Sequence, residues 1–321
     1  MKLFNKLGVI AALTLAATGA LAQGGYPDKP VRVVVTTVPG PLDAFARAVL
    51  TQVQKHTKQT FFVDNKAGAG GNVGADIVAK SPADGYTLLF ALDTTFTVNP
   101  ALYEKMPFDP VKDFAFISVP VTYSQVLAVN PAIKATNLAE FVKTAKAGKM
   151  SYASGGNGSP SHLTMAAFLT TAGIDMVHVP YKGTGQSVID VMGGQVDSVF
   201  AVGSGILPNS KAGKLRALAV SGGSRSPAAP ELPTVAESGY PNFNASFAYV
   251  LAAPAGTPKE IVQLLAKEVA LAMDSPEVKE LNRIADYAPT NLATPEASAA
   301  WLVNARKHWG DVIYKAKITL N

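Results

Sequence analysis

The stretch from Val33 to Arg47 restricts the fold more than any other. It begins with the β-branched run Val33-Val34-Val35, the mark of a strand buried on both faces. Pro39-Gly40-Pro41 then stops any strand or helix. Asp43 follows in what reads as a first helical turn, with Ala44, Phe45 and Ala48 available for packing. A strand that ends in a tight loop and feeds a helix leaves backbone N–H groups pointing into the loop. The helix start adds roughly +0.5 of a charge. Such a loop seats an anion without an arginine, and a second lobe is expected to close over it.

The first residues read as a leader. Lys2 and Lys6 precede an apolar run from Leu7 to Ala17, and Ala20-Leu21-Ala22 fits an export cleavage site. The mature chain is expected to begin at Gln23. The apolar run is too short for a membrane span. Without Lys2 and Lys6 the 28 basic residues become 26 against 23 acidic ones, a net +3. That excess is too small to argue for nucleic acid, and no basic run is interleaved with aromatics. With no cysteine in the chain, a disulfide framework, a thiolate metal site, a cysteine nucleophile and a lipidated N-terminal cysteine are excluded. The reading is a freely diffusing periplasmic or secreted protein, expected to be a monomer. A chain of 321 residues suggests two domains once the leader is removed.

Strands are expected at Pro30 to Val35, Phe61 to Val63 and Tyr86 to Ala91, alternating with helices from about Asp43 to Lys55 and up to Lys80. This βαβαβ rhythm implies a parallel sheet flanked by helices. Ile117 to Val129 reads as a strand broken at Pro120 and Ser124-Gln125. The rhythm then returns, with strands near Tyr152, Met176 to Pro180, Val196 to Val202 and Leu215 to Val220, and helices from about Ser161 and through Met192. Phe247 to Ala253 reads as a last strand. Ile261 to Met273 and Glu296 to Ala316 have the three- and four-residue apolar spacing of helices. The fold expected is α/β with two lobes, each a sheet flanked by helices, and a cleft between them. Lobe 1 comprises residues 23–124 and 247–321, and lobe 2 residues 125–246.

Several chemical readings fail on spacing. Gly68 and Gly70 begin a G-x-G-x-x-G pattern, but Val73 stands at the third glycine, and no Walker lysine follows Gly148 or Gly213 in the right context. Close packing of loop and helix explains Gly68 to Gly74 better. Ala219-Val220-Ser221-Gly222-Gly223 misses the nucleophile elbow by one residue and does not lead into a helix. His56, His162, His178 and His308 have no i+4 partner, so no metal site is expected. No cofactor is expected either, and no base, nucleophile and orienter converge, so the chain does not read as an enzyme. Ser154 to Ser159 is either a capped turn or a ligand loop. Asp93 to Thr97 is either cleft lining or loop surface. His162 is open between packing, capping and ligand contact.

Long stretches match one family in order. They include Asn65-Lys66-Ala67-Gly68-Ala69-Gly70-Gly71-Asn72, Ala83-Asp84-Gly85-Tyr86-Thr87-Leu88-Leu89 and Phe108-Asp109-Pro110-Val111-Lys112-Asp113-Phe114. Others are Gly158-Ser159-Pro160-Ser161-His162-Leu163 and His178-Val179-Pro180-Tyr181-Lys182-Gly183. The sequence resembles the Bug, or TctC-type, periplasmic solute-binding proteins of tripartite tricarboxylate transporters. The resemblance implies a two-lobed fold that closes over a small carboxylate and delivers it to membrane transporter subunits. It implies carboxylates held by backbone amides, hydroxyls and water. The residues expected at the ligand are Thr36, Thr37, Val38, Pro39, Gly40, Leu42, Asp93, Thr94, Ser154, Asn157, Gly158, Ser159, His162, Gly183, Thr184, Ala201 and Val202.

Two departures from the family pattern bear on the ligand. The first loop is one residue shorter than the usual P-F-x-P-G-G-x-x-D, and Pro41 lacks an amide donor; Thr36 and Thr37 can supply hydroxyls instead. After Phe200 the family often has Asp-Asn, and here Ala201-Val202 stand there. The expected ligand is a di- or aromatic carboxylate with an apolar body. A receptor that presents its ligand to a sensor kinase is the alternative.

Overall fold

A computed structural model describes residues 25–290, 292 and 294–320. The leader and its cleavage point after Ala22 lie outside the described residues. The chain opens with β1 (Val31–Val35), α1 (Pro41–Thr57), β2 (Phe61–Asn65), a 3-10 turn at Ala69–Gly71, α2 (Asn72–Ala79) and β3 (Thr87–Leu92). β1 pairs in parallel with β2 on one side and β3 on the other. Its central valines are wholly buried, as a parallel strand covered on both faces requires. Two single-turn helices, α3 (Thr94–Thr97) and α4 (Asn99–Leu102), lead to β4 (Phe114–Ser118).

The same wiring then repeats. After β5 (Val121–Val129) and α5 (Leu138–Ala147) come β6 (Ser151–Ser154), α6 (Pro160–Ala172), β7 (Val177–Pro180), α7 (Thr184–Met192) and β8 (Ser198–Val202). β6 pairs in parallel with β7 and β8. The spatial orders β2-β1-β3 and β7-β6-β8 are equivalent. α8 (Gly203–Lys211) and β9 (Arg216–Val220) complete this unit. β10 (Ser246–Pro254), α9 (Lys259–Met273), α10 (Pro276–Ala285), β11 (Tyr287–Pro289) and α11 (Pro295–Ala316) follow. The result is a two-lobed α/β fold.

β5 and β10 join the two units through their pairing. Thr122 to Ser124 of β5 pair antiparallel with Ser246 to Ala248 of β10. From Gln125 onward β5 pairs instead with β8 and β9, while β10 continues against β3 and β4. Ser221 fastens the crossing. Its hydroxyl accepts from the Gln125 amide at 2.9 Å and donates to the Ala245 carbonyl at 2.7 Å. The near-miss elbow serine is therefore a wholly buried clasp whose hydroxyl is engaged on both sides.

The elements differ from the sequence reading in four places. β5 runs unbroken through Ser124-Gln125, because Ser221 satisfies the Gln125 amide and β10 pairs with Ser124. Asp93 to Thr97 is not an irregular loop: its last four residues form α3. α8 is hidden in the sequence by Gly203, Gly205 and an internal Pro208. α10 and β11 carry too few apolar residues to announce themselves; only Val278, Asn282 and Ala285 of α10 are buried. No helix among the described residues is long and apolar enough to cross a membrane.

Candidate functional site

Parallel strands of an α/β unit end where loops turn into helices, and ligands collect there. In both lobes these ends line one cleft with a volume of about 1090 Å³. Its walls come from Thr36 to Leu42 after β1, Ala67 to Gly71 after β2 and Thr94 after β3. Facing them are Gly155 to Pro160 after β6, Pro180 to Gln186 around the end of β7, and Val202 at the end of β8. Among the described residues that line it, Lys182 alone carries a charge, and it is exposed.

The first wall is rich in unspent donors. α1 starts at Gly40 without a side-chain cap. Among the described residues, the amides of Thr37, Val38, Gly40 and Leu42 make no hydrogen bond. The Thr36 and Thr37 hydroxyls are buried and likewise unpartnered. The loop is nevertheless held in place. Asn65 Nδ2 donates to the Thr37 carbonyl and to Asp43 Oδ1, each at 3.0 Å, and Arg47 Nε donates to Asp43 Oδ2 at 2.9 Å. Burial alone would raise the Asp43 carboxyl, but the hydrogen bonds from Arg47 and Asn65 and the Arg47 charge hold it below its ordinary value. Asp43 is thus ionised and braces the loop. Gly71 (φ +96°) packs so closely that a Cβ there would meet Thr95 Oγ1 at 2.6 Å. That contact seats the glycine-rich turn beside Thr36.

The second wall is more nearly self-satisfied. The Gly155 amide donates to Ser161 Oγ, Gly156 to Ser154 Oγ, and Gly158 to His162 Nδ1. Ser154 Oγ lies 2.6 Å from His178 Nε2, and His178 stacks between Tyr152 and His162. Burial, with His178 alongside, lowers the His162 pKa to about 4. Donors remain at the start of α7, which begins after Gly183 with no side-chain cap. Gly183 to Gln186 use none of their amides in hydrogen bonds among the described residues. Asn157 is tied by its side chain to the Leu320 carbonyl at 2.8 Å, so Leu320 braces this loop.

The floor comes from the crossing strands. Tyr123 and Gln125 share one face of β5, Tyr249 comes from β10, and Leu92 ends β3. The Tyr249 and Tyr287 hydroxyls are 3.0 Å apart. Gln125 is 1 % exposed, and its Oε1 has no partner.

Of the residues expected at the ligand, Thr36, Thr37, Val38, Pro39, Gly40, Leu42, Thr94, Asn157, Gly158, Ser159, Gly183, Thr184 and Val202 line this cleft. Asp93, Ser154, His162 and Ala201 do not; they are buried behind its walls. Ser154 and His162 hold the Gly155 to Ser159 loop from beneath, and Ala201 packs into the core of lobe 2. Sequence reasoning did not assign Ala67 to Gly71, Tyr181, Lys182, Tyr123, Gln125 or Tyr249 to the cleft. For the glycine-rich turn a signal existed: it follows β2 as the first loop follows β1. For Tyr123 and Tyr249 no local signal exists, since only strand pairing brings them together.

A family model described as "Tripartite tricarboxylate transporter family receptor" matches residues 45–318. The chain is 32% identical to Protein BugT of Bordetella pertussis over 316 residues, covering 97% of this chain and 96% of that protein. Among solved structures it is similar to R. palustris Rpa4515 with adipate, at a TM-score of 0.88 and 30% identity over 92% of this chain and 99% of that one. It is also similar to MatC from Rhodopseudomonas palustris with bound malate, at a TM-score of 0.84 and 28% identity over 90% of this chain and 100% of that one.

Proposed function

Given that the chain belongs to the receptor family of tripartite tricarboxylate transporters, we propose that it is a periplasmic solute-binding protein. It captures a di- or aromatic carboxylate with an apolar body and delivers it unchanged to transporter subunits of that type. The observation that carries this reading is the first wall: unspent amides at a helix start, with two unpartnered hydroxyls and no arginine in the cleft. Taking a carboxylate out of water costs several kcal/mol unless charge-assisted hydrogen bonds replace its hydration. This wall offers several in a preset geometry. The relatives solved with adipate and malate support a carboxylate. Tyr123, Tyr249 and Leu92 in the floor, with Val202 at the end of β8, support an apolar body.

In this reading the donor-rich first wall is the anchor. The second lobe adds Ser159 and the start of α7 as it closes. The boundary between lobes falls at Ser124 and Gln125 on the way out and near Ser246 on the return. Ligand binding to both walls favours the closed state, which the transporter can then recognise.

The test is a thermal-shift screen of the mature protein against mono-, di- and tricarboxylates, aromatic ones included, followed by calorimetry on hits. A ligand at about 100 times its Kd adds roughly 2.7 kcal/mol, enough to raise Tm by about 4–5 °C in a chain of this size. Hits among aliphatic or aromatic diacids are expected. Much tighter binding of citrate or glutamate overturns the apolar body, and silence across the panel overturns the carboxylate.

A further inference from the structure

Among the described residues, Asp93 is the one buried acid that the carboxylate site does not use. It ends the strand-to-helix step between β3 and α3, next to the cleft residue Thr94. It is 0 % exposed, and neither carboxylate oxygen has a hydrogen-bond partner. The groups around it are neutral. Tyr123 of β5, itself on the cleft floor, lies within electrostatic reach, and Tyr249 and Tyr287 from β10 and β11 pack against Tyr123. The Ala248 backbone of β10 accepts its amide at 3.0 Å, and Thr97 donates to its carbonyl. On α11, packed over α3, Arg306 points elsewhere and donates to the Phe96 carbonyl at 2.8 Å. Among the described residues an ionised Asp93 therefore has no countercharge, while its neighbours Thr94 and Tyr123 line the cleft.

We infer that capture of a carboxylate in this cleft is coupled to uptake of one proton by Asp93. The inference rests on the carboxylate reading above. Two negative charges in one water-poor region oppose each other, so the ligand's arrival favours the neutral acid. The proton comes from solvent and bonds to a carboxylate oxygen, which leaves the bound pair one negative charge lighter. Burial already raises the Asp93 pKa to about 7 before any ligand binds, so the coupling acts near neutral pH. Ligand carboxyls, with ordinary values near 4, are fully ionised there. Behind the second wall His162, lowered by burial to about 4, stays neutral, and burial lowers His178 as well. Affinity is unaffected well below pH 7. Above it, each bound ligand draws in up to one proton, and Kd rises by up to tenfold per pH unit.

Two measurements test this, and they fail separately. The first needs no ligand. A carboxyl whose folded value exceeds its unfolded value makes the folded state lose stability as pH rises through that interval. Asp93→Asn should therefore raise Tm by several degrees at pH 8 and leave it nearly unchanged at pH 4. An equal change at both pH values overturns the inference, because Asp93 would not titrate there. The second is calorimetry of succinate, adipate and terephthalate at pH 6.0 and 8.5 in buffers of different ionisation enthalpy. We expect the wild type to bind at least fivefold more weakly at pH 8.5 and to take up a proton, and Asp93→Asn to do neither. Binding with no proton uptake, or the same pH dependence in the variant, overturns the coupling while leaving the carboxylate reading intact. If none of the three diacids binds, the carboxylate reading falls and the coupling falls with it, whatever the stability result.

Discussion

At the scale of single residues the site depends on groups that are held ready but not used. Thr37 shows this best. Its carbonyl is fixed by Asn65, its hydroxyl is unpartnered, and its amide is unspent. A hydrogen bond to a charged group contributes about 1.5–3 kcal/mol. Thr37→Val keeps the shape and the amide but removes the hydroxyl. It should weaken the best carboxylate by roughly 10- to 150-fold in calorimetry, with Tm of the unliganded protein changed little. Unchanged affinity would remove the hydroxyl from the site. This residue was legible in the sequence because it lies between a β-branched run and a proline pair, a local pattern with one physical outcome. Asp93 was expected at the ligand and instead lies buried outside the cleft lining. A sequence shows that an acid precedes a run of hydroxyl residues; it does not show that every neighbouring side chain is neutral.

The elements extend the same contrast between local and remote information. The two βαβαβ units were readable because each strand is a short apolar run bounded by glycine, proline or a polar turn. The crossing strands were readable as apolar runs, but their pairing was not. Ser124-Gln125 looked like a break because the sequence cannot show Ser221 arriving to satisfy Gln125. The floor residues Tyr123 and Tyr249 follow from that same pairing and share its illegibility. The clasp makes its own prediction. Ser221→Ala leaves the buried Gln125 amide and Ala245 carbonyl each short of a partner, at about 1–3 kcal/mol per group. Denaturant unfolding should show a loss of about 2–4 kcal/mol with an unchanged m-value. A loss below about 0.5 kcal/mol would mean that the clasp contributes nothing to the crossing.

Over the whole molecule, the charge layout separates this protein from anion binders built on arginine. Among the described residues the cleft has one exposed cation, Lys182, and exposed ion pairs contribute at most about 1 kcal/mol. Lys182→Ala should therefore weaken a bound diacid less than about fivefold. Wild-type affinity should change little between 50 and 500 mM salt, because partial charges on buried amides are screened far less than surface charges. A steep salt dependence would transfer the recognition to Lys182. The bare amides of Thr37, Val38, Gly40 and Leu42 have a consequence for descent as well. A donor that belongs to the main chain survives every point substitution except one to proline, and this lineage already carries Pro41 beside them. The anion seat is thus nearly immune to ordinary drift, whereas Tyr123, Gln125, Val202 and Tyr249 are each one codon change away from a different floor. Under the proposed reading, a different ligand body can be accommodated by editing the floor alone, with the main-chain donors left intact.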